Sequence, residues 1–313
     1  MAVNLFSTVL ALLAAFIFMA NVMVFYTTKR KGVTWIFVIS LATSDILMAI
    51  LVLPFQIVEP WSIFGSGDLI CKIHGAITTI SVRSSMFTVL LISADRYVAV
   101  RYPHSYRCMR TSWTGPVMMV VVIWLYSTAA SVFIVATTEQ YTYNPNNKVC
   151  SQIFKNAYEN RSSFDLCVMV YREIELPAIT ISVAVFAALI IYKIYSLKRI
   201  LESTKATGLQ GRKVVLADRP MDRHVTNTLV VIAVFYTICF TPLCLYNTAH
   251  LIKPVQERIS RKQDLLFGQI TYIIMCLNSC INPTVVLVRT KGALRGLREK
   301  MGLTHNNPGP LGK

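Results

Sequence analysis

Charge is what this sequence holds least of. Only 15% of its 313 residues are charged, against about 25% in a typical soluble domain. So few charges do not cover the surface of a soluble protein of this size. Acid is scarcer still: 15 Asp and Glu stand against 31 Lys and Arg, a net +16. Nucleic-acid binders share that imbalance, but not a hydrophobic content of 54%, so nucleic acid is not an expected partner. The same apolar content excludes a disordered chain. Alternating segments of about ten residues, the mark of a membrane β-barrel, are missing. The five histidines (His74, His104, His224, His250, His305) lack metal-ligand spacing. No nucleophile–base constellation is present, so an enzyme is not expected. Internal repeats, expected of a secondary transporter, are also missing.

Seven apolar runs are present, at 5–28, 33–58, 71–99, 113–137, 174–195, 225–252 and 265–288. Each is near the roughly 20 residues that cross about 30 Å of hydrocarbon. The expected fold is therefore an all-α membrane protein, a single seven-helix bundle spanning residues 1–313. No A-x-A-like cleavage site follows the first run, and the basic cluster Lys29–Lys31 comes after it, so it reads as a retained span and not a signal peptide. Residues 289–301 carry Leu294, Leu297 and Met301 at helical spacing, an amphipathic helix expected to lie on the inner surface. Residues 302–313 form a short tail.

The basic excess orients the chain. One set of connections (29–32, 100–112, 196–224 and the tail, with adjoining helix ends) holds 21 basic and five acidic residues. The opposite loops hold seven of each, and the charges within spans also cancel. By the positive-inside rule the basic side is cytoplasmic and the N-terminus is outside. The sequon Asn160-Arg161-Ser162 then falls in an outer loop. Cys71 at the outer end of span three and Cys150 in the long outer loop are the natural disulfide pair. Cys108 lies in an inner loop and is expected to stay reduced.

Several motifs fall one per span: Asn21, Leu41-Ala42-Thr43-Ser44-Asp45, Asp95-Arg96-Tyr97, Trp124, Phe240-Thr241-Pro242 and Asn282-Pro283, with Trp61-Ser62-Ile63-Phe64-Gly65 in the first outer loop. Together they resemble a rhodopsin-like (class A) G-protein-coupled receptor along essentially the whole chain. The resemblance implies a plasma-membrane receptor that binds an extracellular ligand in the bundle and activates heterotrimeric G proteins by outward movement of span six. Its switch would comprise Asp95, Arg96, Tyr97, Asp222, Tyr192, Pro242, Asn282 and Pro283. Asp45, Ser85, Asn278 and Asn282 would form a pocket for an allosteric sodium ion, the only cofactor expected. Arrestin and anionic lipid are further expected partners, with Ser203, Thr204 and Thr207 the inner hydroxyl residues available for phosphorylation.

Some positions depart from the pattern. Phe240 stands where the family usually has Trp, and Val286 where a Tyr follows the Asn-Pro motif. Thr78 stands where amine receptors carry Asp, which argues against a biogenic amine. A cation in mid-span is costly when unpaired. Arg83 therefore either pairs with an acid such as Glu175 or receives an anionic head group. Arg172, Lys72 and His74 add positive potential nearby. The resemblance places Thr79, Asn247, Gln269 and Tyr272 with these in the pocket. Leu53-Pro54-Phe55 with Glu59, and Arg172, bear a loose similarity to free fatty acid receptors, although Gly268 and Gln269 stand where a second pocket arginine would be, so a small carboxylate or lipid is the expected ligand. A peptide ligand, a constitutively active or decoy receptor, and a membrane transporter are the alternatives.

Overall fold

The computed structural model describes residues 2–27, 34–58, 68–109, 112–137, 141–144, 149–152, 163–206, 220–252 and 261–289. The main helices are α1 (Ala2–Thr27), α2 (Thr34–Leu47), α3 (Leu53–Val58), α4 (Asp68–Arg101), α5 (Pro103–Met109), α6 (Thr114–Thr137), α7 (Ser163–Ala206), α8 (Pro220–Ile252) and α9 (Arg261–Arg289). A π-helical turn, Met48–Val52, joins α2 to α3 within span two. Seven stretches are long and apolar enough to cross a membrane: Leu5–Thr27, Thr34–Ile57, Leu69–Arg101, Thr114–Ala136, Glu173–Arg199, Thr226–Ala249 and Leu266–Val288. They match the seven sequence runs within a few residues, and the chain folds as a seven-helix bundle.

The bundle is apolar outside and mixed inside, where polar side chains lie among a buried apolar cluster. Leu5, Leu12 and Phe16 on α1 and Met118, Val122 and Leu125 on α6 are exposed, while Asn21, Ser40, Asp45, Ser84 and Thr88 are buried. A buried apolar cluster that includes Phe37, Val89 and Ile232 fills the space between helices, and small and polar side chains add hydrogen bonds across the seams. Helix α4 lies at the centre, touching α2, α6, α7 and α8. Trp124 on α6 donates its indole N–H to Ser40 Oγ on α2 at 3.0 Å. Ser40 in turn lies 3.1 Å from Thr88 Oγ1 on α4.

Four features depart from the sequence expectation. The fold is the expected helical bundle, to which a short antiparallel hairpin of Tyr141–Asn144 (β1) and Val149–Gln152 (β2) is added between α6 and α7. Its outer-loop segment carries β-formers in alternation (Tyr141, Tyr143, Val149), a signal overshadowed by the apolar spans. Helix α7 extends beyond its apolar span Glu173–Arg199 at both ends, and Ser203 and Thr204 lie on it, not in a loop. Pro177 is the only proline or glycine between 163 and 206, so nothing stops the helix. The inner segment holding Cys108 is the short helix α5. Span two carries the π-helical turn. The amphipathic segment 289–301 (apart from Arg289), the tail 302–313, Thr207 and the sequon at Asn160 lie outside the described residues.

Candidate functional site

Polar groups gather at three depths along the bundle. At the end of the bundle that carries α5, Arg96 sits near the last turns of α4 and is 5% exposed. Its guanidinium pairs with the carboxylate of the adjacent Asp95. Nη2 also donates to Tyr106 Oη at 2.5 Å and to Thr34 Oγ1 at 3.0 Å. The Tyr106 hydroxyl donates onward to Asp95 Oδ1 at 3.1 Å. One cation is therefore held by α2, α4 and α5 together. Tyr106 was not singled out from sequence, since its place depends on α5 folding back beneath α4. The side chain of Asp222, the expected second partner, lies outside the described residues, although its backbone belongs to α8. Tyr97 rests against Phe186 of α7, ring centres 5.6 Å apart. Tyr192 is 71% exposed, and no contact joins it to the Arg96 cluster among the described residues.

At mid-depth, Asp45 is 1% exposed. Ser279 Oγ donates to its Oδ1 at 2.7 Å, and Asn282 Nδ2 approaches Oδ2 at 3.4 Å. Asn282 thus joins Asp45, as expected, and Pro283 follows it within α9. The cavity beside Asp45 is lined by Ser85, Asn278, Ser279, Met275 and Phe240 among others. Ser85 Oγ, Asn278 Oδ1 and Asn282 Oδ1 are buried and find no hydrogen-bond partner among the described residues. Such oxygen donors around a carboxylate fit a small hard cation. Phe240 closes the cavity from α8 and stacks on Tyr236, ring centres 4.5 Å apart. Pro242 lies within α8 two residues on, where its missing N–H weakens the backbone ladder.

Toward the end that carries the hairpin, Arg83 of α4 meets Glu175 of α7. Nε donates at 2.9 Å and Nη2 at 2.6 Å to Glu175 Oε2, and Nη1 donates to Ser131 Oγ of α6 at 3.1 Å. Tyr126 and Tyr171 donate their hydroxyls to Glu175 Oε1 at 2.9 and 3.3 Å. The internal ion pair with Glu175, one of the two sequence alternatives for Arg83, is present in this structure. His74 is buried, with Nε2 3.2 Å from the Val52 carbonyl, and Phe55 packs on its ring. Thr78 and Thr79 spend their hydroxyls on carbonyls one turn back, at 2.8 and 2.7 Å. Asn247, Gln269 and Tyr272 are half-buried on α8 and α9. The Arg172 side chain lies outside the described residues. Cys71 is disulfide-bonded and buried. Strand β2 places Cys150 opposite Tyr143 in a hairpin that touches α4, with the Cys150 side chain outside the described residues.

A family model described as 7 transmembrane receptor (rhodopsin family) matches residues 8–285. The chain belongs to this family. Among curated proteins it is 26% identical over 277 residues to galanin receptor 2b of Danio rerio, covering 85% of this chain and 65% of that receptor. It is 24% identical over 262 residues to the allatostatin-A receptor of Bombyx mori, covering 82% and 66%. It is 26% identical over 295 residues to galanin receptor type 2 of Mus musculus, covering 89% and 71%. The chain thus spans about two thirds of the length of the curated relatives it matches. The rhodopsin-family assignment agrees with the resemblance drawn from the motifs.

Proposed function

We propose that this rhodopsin-family chain is a plasma-membrane receptor, with its N-terminus outside and C-terminus inside, that couples an extracellular ligand to heterotrimeric G proteins. The observation that carries this reading is the Arg96 cluster. Three polar side chains from three helices, Asp95, Thr34 and Tyr106, hold one buried guanidinium at the inner face. Breaking them frees Arg96, and bending of α8 at Pro242 opens the inner face for a G protein. A sodium ion held by Asp45, Ser85, Asn278 and Asn282 would add a positive charge beside Asp45 and favour the closed state. The Cys71–Cys150 disulfide would pin the outer hairpin to α4, and Asn160 would carry glycan.

The ligand we favour is a peptide. The relatives are named as galanin and allatostatin-A receptors, and Arg83, the residue behind the carboxylate expectation, already carries Glu175. A small carboxylate or lipid is the second reading, favoured by the place of Arg172 near the outer end of α7. Ligand-dependent nucleotide exchange on a panel of G proteins tests the proposal. Exchange that rises with a peptide is expected. Normal surface expression with no exchange for any peptide, carboxylate or lipid would overturn it.

A further inference from the structure

We propose that Gln56 on α3 and Tyr272 on α9 anchor the ligand, and that the group they take is uncharged and both donates and accepts, as a terminal carboxamide does. The inference rests on the peptide reading above.

Gln56 is 1% exposed, and both of its amide atoms, Nε2 and Oε1, find no hydrogen-bond partner among the described residues. The buried Tyr272 hydroxyl finds none either. The two side chains lie near each other, and the Tyr272 hydroxyl also lies near the Cys276 thiol, in each case without meeting hydrogen-bond geometry. Buried polar groups are almost always paired, so three unmade bonds at one place ask for an occupant. The place is right for an extracellular ligand. Gln56 is one residue short of the outer end of Thr34–Ile57, and Tyr272 lies in the outer half of Leu266–Val288. Gln56 and the Tyr272 hydroxyl are covered in this structure, so entry parts the outer ends of spans two and seven.

The donor and acceptor count chooses the group. Gln56 offers an N–H and a carbonyl side by side, and Tyr272 adds a hydroxyl that does either. A carboxylate only accepts, and would leave Gln56 Oε1 unmet. An ammonium only donates, and would leave Nε2 unmet. A carboxamide answers both edges of Gln56 at once. Charge points the same way, because Arg83, buried in the outer half of the bundle, is committed to Glu175 and Ser131. The anchor is also held in place. His74 of α4 donates to the Val52 carbonyl and packs on Phe55, bracing the backbone on either side of the turn that presents Gln56. A fixed amide loses little freedom on binding.

Two measurements test this. The first needs no ligand: thermal unfolding of the purified receptor, compared with Gln56→Leu and Tyr272→Phe. Removing a polar group that has no partner leaves the melting temperature unchanged or raises it. A clear drop in both variants would mean that the groups serve the fold, and would overturn the proposal. The second is nucleotide exchange driven by short synthetic peptides, each made once as a C-terminal carboxamide and once as a free acid. The carboxamide forms are expected to be at least about tenfold more potent, with the preference lost in Gln56→Leu. Equal potency of the two forms, or a preference that survives in both variants, would overturn the anchor while leaving the peptide reading intact. If no peptide acts in either form, the peptide reading fails and the anchor falls with it.

Discussion

Glu175 stands between two kinds of donor: the guanidinium of Arg83, with Nη2 at 2.6 Å from Oε2, on one side, and the hydroxyls of Tyr126 and Tyr171 on the other. The pair is asymmetric. Without Arg83, the carboxylate still has two hydroxyls. Without Glu175, the guanidinium keeps only Ser131 among the described residues. Removing one partner of a buried ion pair costs about 3–5 kcal/mol, whereas replacing both with apolar groups is often neutral. Glu175→Leu is therefore expected to lower the melting temperature more than Arg83→Met, and the double substitution to recover most of the loss. Thermal unfolding in detergent decides it, and a double variant weaker than both singles would contradict the account.

The Tyr106 hydroxyl bridges Arg96 and Asp95 from beneath. Tyr106→Phe removes hydrogen bonds to charged groups, worth about 1.5–3 kcal/mol each. Part of that is repaid by water at the inner face. Basal nucleotide exchange is expected to rise several-fold with ligand-dependent exchange retained. Unchanged basal exchange would show that Asp95 and Thr34 hold Arg96 unaided.

Sodium should stabilise the receptor through Asp45. At ten times its dissociation constant, a bound ion adds about 1.4 kcal/mol. Unfolding in sodium chloride is expected at a higher temperature than in choline chloride at equal ionic strength. Asp45→Asn, which keeps the shape but removes the charge, should erase the difference. A sodium effect that survives in Asp45→Asn would place the ion elsewhere.

Trp124, Ser40 and Thr88 link three helices in one chain of contacts. Trp124→Phe deletes the indole donor, and Ser40→Ala deletes its acceptor. Each is expected to destabilise by about 1 kcal/mol. The double variant should lose less than the sum, because the two remove the same bond. Strict additivity in thermal unfolding would mean the bond contributes nothing.

The seven spans were legible because a bilayer imposes length and apolarity together, and few sequences meet both by accident. Asp45 with Asn282, and Asp95 with Arg96, were legible because a charge inside a membrane requires a partner, and each had one suggested by the motifs. Where a helix is apolar all round, the pattern names no inward face. Helix α7 is such a case, and Tyr192, expected among the switch residues, is 71% exposed. Tyr106, Tyr126 and Ser131 were not found because each meets its charged partner across a helix seam, and seams depend on how each helix is rotated. Gln56 was passed over for a related reason: an uncharged amide raises no alarm until its burial is known.

The π-helical turn Met48–Val52 sets the rotation of everything beyond it in span two. Such a turn accommodates one residue more than an α-helical turn, and each residue advances a helix by about 100°. Side chains from Leu53 to Val58 therefore face a quarter-turn or so away from where counting from Asp45 would put them. A gap-free alignment with a receptor that lacks the turn will equate Gln56 with the wrong neighbour. Transfer of pocket residues along this span requires two separate registers, one anchored on Asp45 and the other on Pro54.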